Sequence, residues 1–122
     1  MSEVAAEKSL FPSDPEDVKL LTLARAALAR TRAHQGAAVR DTDGRTYAAV
    51  SVELDHLRLS AIAVAVAMAV SSGAEALEAV GLVSEDGPSV EDLEITGDLA
   101  NDDVMIWWTD PAGRPESAVE LS

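Results

Sequence analysis

The chain has 122 residues, enough for one domain with its own hydrophobic core, and its 22 acidic against 9 basic residues give a net charge of −13. So acidic a surface repels phosphate backbones, and the few Lys and Arg are scattered, so no nucleic-acid partner is expected. The absence of cysteine excludes disulfides, thiolate catalysis and every cysteine-based zinc site.

Residues 1–11 read as a flexible arm, followed by a single domain over 12–122. The N-terminus lacks the charged-then-apolar layout of a signal peptide, so a cytoplasmic location is expected. Ser13-Asp14-Pro15-Glu16 has the form of a capping box, with Ser13 as cap. Val18, Leu21, Ala24 and Leu28 continue it as an amphipathic helix to about Arg32. A strand over 36–41, a Thr42-Asp43-Gly44 turn and a returning strand over 45–53 make a hairpin. The Asp41-x-Asp43-Gly44 spacing is that of a calcium-loop start, but Arg45 and Val52 stand where further ligands belong, leaving only a turn.

Residues 57–73 are the most apolar stretch, with Arg58 as the sole charge. Ile62, Val64, Val66, Met68 and Val70 alternate with alanines as in a strand, yet the alanines favour a helix, and Ser71-Ser72-Gly73 is a natural helix stop. A helix over 57–72, buried on every side in a core or between subunits, is expected; it is too short to span a bilayer, and no membrane partner is expected. Residues 75–78 read as a further helical turn or linker, and 79–84 as a buried strand. A short helix over 89–95 is capped by Ser89 with Asp92 at its third position. A polar loop over 97–102 precedes a strand over 103–109, whose Trp107 and Trp108 point to opposite faces. Residues 114–122 close the chain as a short strand or tail. The order α-β-β-α-β-α-β implies a mixed sheet of four or five strands between helices.

Several stretches, in this order, resemble the small cytidine deaminases among the zinc-dependent nucleoside deaminases. Gly36-Ala37-Ala38-Val39 with Asp43-Gly44 and Tyr47 is similar to that family's first hairpin, and Ser51-Val52-Glu53-Leu54 to its N-[VI]-E-N motif. Ala69-Val70-Ser71-Ser72-Gly73 resembles the end of its central helix, Ala79-Val80-Gly81-Leu82-Val83 its next strand, and Gly87-Pro88 the approach to its second ligand helix. The resemblance implies a three-layer α/β/α cytidine deaminase-like fold with the apolar helix 57–72 central.

Family members hold zinc with a His or Cys at the head of the central helix and two cysteines in P-C-x-x-C, and a Glu moves the protons. Counted back from Gly73, the family's C-A-E falls on Ser60-Ala61-Ile62; counted forward from Glu53, it falls on Ile62-Ala63-Val64. The second motif falls on Pro88-Ser89-Val90-Glu91-Asp92. Neither register supplies a zinc-ligand set or a catalytic acid, and residues 57–122 contain neither Cys nor His. The expectation is a pseudoenzyme: Ser60, Ile62, Ser89 and Asp92 occupy the catalytic positions and zinc is absent.

The resemblance also gives Ser51 and Glu53 the positions that hold ribose hydroxyls, and Ala33 the position of a stacking phenylalanine. Alternatively, Glu53 is a solvated residue ending a strand. His34 and His56 form a conceivable metal pair with Asp55 or Glu53, but lack any motif spacing and read as loop residues. Ser60 lacks a neighbouring base and reads as a helix cap rather than a nucleophile. The leading expectation is a non-catalytic binding or assembly module, a dimer or tetramer through helix 57–72 as the family implies, with an unidentified protein partner possible. The alternatives are a nucleoside sensor using Glu53, and an active zinc-dependent deaminase with an unrecognised ligand set.

Overall fold

The computed structural model describes residues 9–121. Of the expected N-terminal arm, residues 1–8 lie outside the described residues; residues 9–11 form no helix or strand. The elements are α1 (Pro15–Ala29), β1 (Gln35–Asp41), β2 (Thr46–Val50), β3 (Val52–Glu53), β4 (Arg58–Leu59), α2 (Ala61–Ser71), β5 (Leu77–Ser84), α3 (Val90–Asp98), β6 (Ala100–Thr109) and β7 (Pro115–Leu121). Five strands make one sheet in the order β2-β1-β5-β6-β7, and β3 and β4 pair as a separate ribbon. Among the described residues only β5 and β6 run parallel, joined through α3; the other neighbours are antiparallel. The sheet is therefore mixed, as the element order implies.

Side-chain alternation divides the core into two layers. On one face Leu20, Leu21 and Ala24 of α1 pack on Ala38, Ala79 and Val83, with Trp107 at the margin. On the other face Ile62, Ala65, Val66 and Ala69 of α2 pack on Ala37, Val39, Val80, Leu82, Val104 and Ile106, and Trp108 joins them. The two tryptophans thus face opposite layers, each with its indole N–H bonded: Trp107 donates to Asp17 Oδ2 at 3.1 Å and Trp108 to Ser84 O at 2.8 Å. Small residues let α1 lie close to the sheet. A Cβ on Gly36 would come within 2.3 Å of Ala24 O, and one on Gly81 within 3.1 Å of the Leu20 backbone.

Several boundaries depart from expectation. Asp14, not Ser13, caps α1, accepting from Glu16 N at 2.9 Å. Pro15 is the reason: the residue before a proline is held in extended backbone, which suits a cap, and the proline fills the first helical position. The helix ends at Ala29 rather than near Arg32. The apolar helix starts at Ala61 rather than at 57, because Arg58 and Leu59 pair with Glu53 and Val52 in the β3–β4 ribbon. Within the single chain, Met68 is 40% and Val70 53% exposed on the outer side of α2. Gly73, at φ 93°, ends α2 in the left-handed conformation that favours glycine.

Beyond it, β5 begins at Leu77, within the stretch expected as a helical turn or linker. The loop expected over 97–102 is instead the end of α3 and the start of β6. Leu77 N donates to Leu99 O at 2.8 Å, so pairing with β5 organises that polar stretch. The C-terminal residues form a regular edge strand, with Pro115 at its first position, where a missing N–H is tolerated.

Candidate functional site

A cleft of about 630 Å³ opens between the end of α1, the start of β1, the end of β5 and the head of α2. Ala33, His34, Ser51, Glu53 and Ser60 all line it, together with Gln35. The carboxyl end of a parallel strand beside a helix N-terminus is the usual place for ligands in open α/β sheets.

Short-range chemistry places each side chain. Ser51, just after β2, accepts from Gln35 N at 3.2 Å through its hydroxyl. Glu53, on the ribbon, meets His34 of the α1–β1 loop with Oε2 3.0 Å from Nδ1. Both are exposed, and the bond and charge of Glu53 hold the imidazole pKa above its ordinary value, with a smaller contribution from Glu85. The rim is otherwise acidic, with Glu85 and Asp86 beside it. His56 lies apart in the exposed turn between β3 and β4. Among the described residues, no three of His, Asp and Glu gather as a metal set.

Beside the cleft, and joined to it through Ser60, is a polar knot between two helix heads. Ser60 is the N-cap of α2; its hydroxyl accepts from Ala63 N at 3.0 Å and donates to Asp92 Oδ1 at 2.5 Å. Ser89 is the N-cap of α3; its hydroxyl accepts from Asp92 N at 3.0 Å, while Asp92 Oδ2 accepts from Ser89 N at 3.1 Å. Asp92 is only 2% exposed. The expected Ser89–Asp92 capping box is therefore present, and its carboxylate does a second job on α2. Ile62, by contrast, is fully buried in the α2 layer of the core.

Gln35 carries no sequence signal of its own, yet it ties the cleft together. Its Oε1 accepts from Ala61 N at 3.1 Å, a second cap on α2, and its Nε2 donates to Ser84 Oγ at 3.3 Å. Gln35 and Ser84 are register partners across β1 and β5, a pairing that only the folded sheet creates.

Solved structures similar to this one include cytidine deaminases. That from Mycobacterium leprae is 22% identical, with a TM-score of 0.68 over 84% of this chain and 90% of that one. The enzyme from Burkholderia pseudomallei is 20% identical with a TM-score of 0.65, over 85% and 90%. The Mycobacterium tuberculosis enzyme is 25% identical with a TM-score of 0.64, over 81% and 87%. No curated protein matches the chain. The family described as cytidine deaminase-like matches residues 13–113, most of the chain and every element from α1 to β6. This chain belongs to the cytidine deaminase-like family.

Proposed function

We propose that this chain is a non-catalytic member of its family that works as a binding or assembly module. The observation that carries this is the donor set at the heads of α2 and α3. The two positions where the family's second motif places thiolates are Ser89 and Asp92, and Ser60 stands at the head of α2. Two neutral hydroxyls and one carboxylate are a poor set for zinc, which favours imidazole and thiolate donors. All three side chains are also already engaged, Ser60 and Ser89 as caps and Asp92 through both oxygens. Ile62 and Val64 offer no proton-carrying group. The residues present do not fit the metal.

Assembly is supported by the outer side of α2. Leu59, Val64 and Met68 line a shallow apolar groove, with Val70 exposed beyond it and Leu54 and Leu57 exposed on the neighbouring ribbon. Exposed apolar side chains grouped in this way mark interaction surfaces. Their occupant is a second copy of the chain, making at least a dimer.

A second reading is favoured by the cleft. Ser51 and Glu53 face it together, and its acidic rim suits a neutral nucleoside or base better than a phosphorylated one. One set of measurements separates the readings. Cytidine and deoxycytidine are tested for deamination, and a panel of nucleosides for thermal shift, with the Glu53→Ala variant alongside. No turnover and no shift is the expected result for a pure assembly module. A cytidine-dependent shift lost in Glu53→Ala establishes the sensor, and turnover above a zinc-free control overturns the non-catalytic assignment.

A further inference from the structure

We propose that Asp92, held between Ser60 and Ser89, is a metal-free clasp that fastens the head of α2 to the head of α3. In a zinc-holding relative, ligands from these two helix heads would be joined through the ion. Here one buried carboxylate makes the connection. Its Oδ1 takes the Ser60 O–H from α2 at 2.5 Å, and its Oδ2 takes the Ser89 N–H at the start of its own helix at 3.1 Å. A carboxyl group that is 2% exposed needs such partners, and a hydroxyl and a helix-terminal amide satisfy its two oxygens. The α3 N-terminus adds its favourable dipole.

The clasp also positions the cleft. Ser60 lines it, and by donating to Asp92 its hydroxyl is fixed with its lone pairs toward the Ala63 amide. Gln35 caps Ala61 N from the other side, so the α2 head is held from β1 and from α3 at once. Asp92 is thus a positioning residue. It does not line the cleft, and it sets where the α2 end of the cleft lies.

The test is a double-mutant cycle on the full chain, read by thermal unfolding, with Ser60→Ala, Asp92→Ala and the double variant. If Asp92→Ala fails to fold, Asp92→Leu, which fills similar space without an acceptor, takes its place in the cycle. Each single change is expected to lower the midpoint by roughly 5 °C. The double variant should fall well short of the sum, because the two side chains share one bond. Ser60→Thr, which keeps the hydroxyl, should stay near the wild-type midpoint, whereas the similarly shaped Ser60→Val should fall with the alanine variant. Additive shifts, or equal midpoints for the Thr and Val variants, overturn the clasp.

The inference rests on the reading that these helix heads hold no metal, so metal content and chelator sensitivity of the wild type are measured on the same sample. Stoichiometric zinc with a chelator-dependent midpoint overturns both the clasp and the non-catalytic assignment. A metal-free protein with additive shifts overturns the clasp alone.

Discussion

Gly36→Ala probes the contact that fixes one wall of the cleft. Gly36 sits at the start of β1, and a Cβ there would lie 2.3 Å from Ala24 O and 3.0 Å from Leu28 Cβ. The obstructing atom is a backbone carbonyl in the middle of α1, so no rotamer change can relieve the clash. Overpacking of a well-packed site costs about 1–3 kcal/mol, and a backbone obstacle puts this case at the upper end. With 122 residues, an unfolding entropy of roughly 2.1 cal/mol/K per residue makes each kcal/mol worth about 4 °C in the midpoint. Gly36→Ala is therefore expected to lower the midpoint by about 10 °C. Gly97→Ala is the matched control: Gly97 lies in α3, with nothing within 4 Å of an added Cβ. There alanine should stabilise, by about 0.5–1 kcal/mol, because glycine loses more backbone freedom on folding. Scanning calorimetry of both variants decides the matter. If Gly36→Ala melts with the wild type, the close packing of α1 on β1 is wrong. Leu28 and Ala33, at the end of α1 and in the following loop, would then be misplaced as cleft-lining residues.

Three further outcomes are expected. Asp41 is buried, and although burial raises its pKa, the Tyr47 hydroxyl at 2.7 Å and the Arg45 and Asp43 amides outweigh that and hold it below the ordinary 3.8. A depressed folded-state pKa gives stability that is full above the ordinary value and is lost as pH falls through the folded one. The wild-type midpoint should thus drop on acidification more steeply than that of Asp41→Asn, and parallel acid titrations would refute the assignment. Thr96 Oγ1 in α3 is fully buried and has no hydrogen-bond partner among the described residues, so the isosteric Thr96→Val should raise the midpoint, by about 1 kcal/mol of stability. An unchanged or lower midpoint would mean that the hydroxyl has a partner. Finally, light scattering should give at least a dimer for the wild type and a monomer for Met68→Lys/Val70→Lys, since both changes fall on exposed positions of α2. A monomeric wild type removes the assembly reading.

Much of the fold could be read locally. The alanine-rich run made a helix despite its strand-like alternation, since Ser60 caps it and Gly73 stops it. The Ser89–Asp92 box marked α3, and the Asp41-to-Gly44 turn marked the first hairpin. What escaped was set by partners distant in sequence. Leu59 looked like part of the apolar helix because composition cannot distinguish it from Ala61; pairing with Val52 makes it a strand residue. Asn101 and Asp102 looked like a loop because they are polar and face solvent, yet they lie on the strand that runs beside β5.

The site shows the same division more sharply. Two registers for the head of the central helix stood open in the sequence, one reckoned from Gly73 and one from Glu53. The residues they start from, Ser60 and Ile62, take different places along the helix. A hydroxyl at the N-cap satisfies an amide that would otherwise lack a partner, and Ser60 does so for Ala63. An isoleucine two residues on belongs to the first turn, where helix geometry directs it into the core, and there it is fully buried. The β3–β4 ribbon fixes the chain length between Glu53 and α2, and ribbon length is not a local property of the sequence. Asp92 is harder still. Its role toward Ser89 lies within four residues and is legible as a capping box; its role toward Ser60 spans 32 residues. That second bond exists only because the sheet and α2 bring two helix heads to one point. One carboxylate there satisfies donors from two helices, which is why its loss should be felt at the α2 end of the cleft as well as in α3.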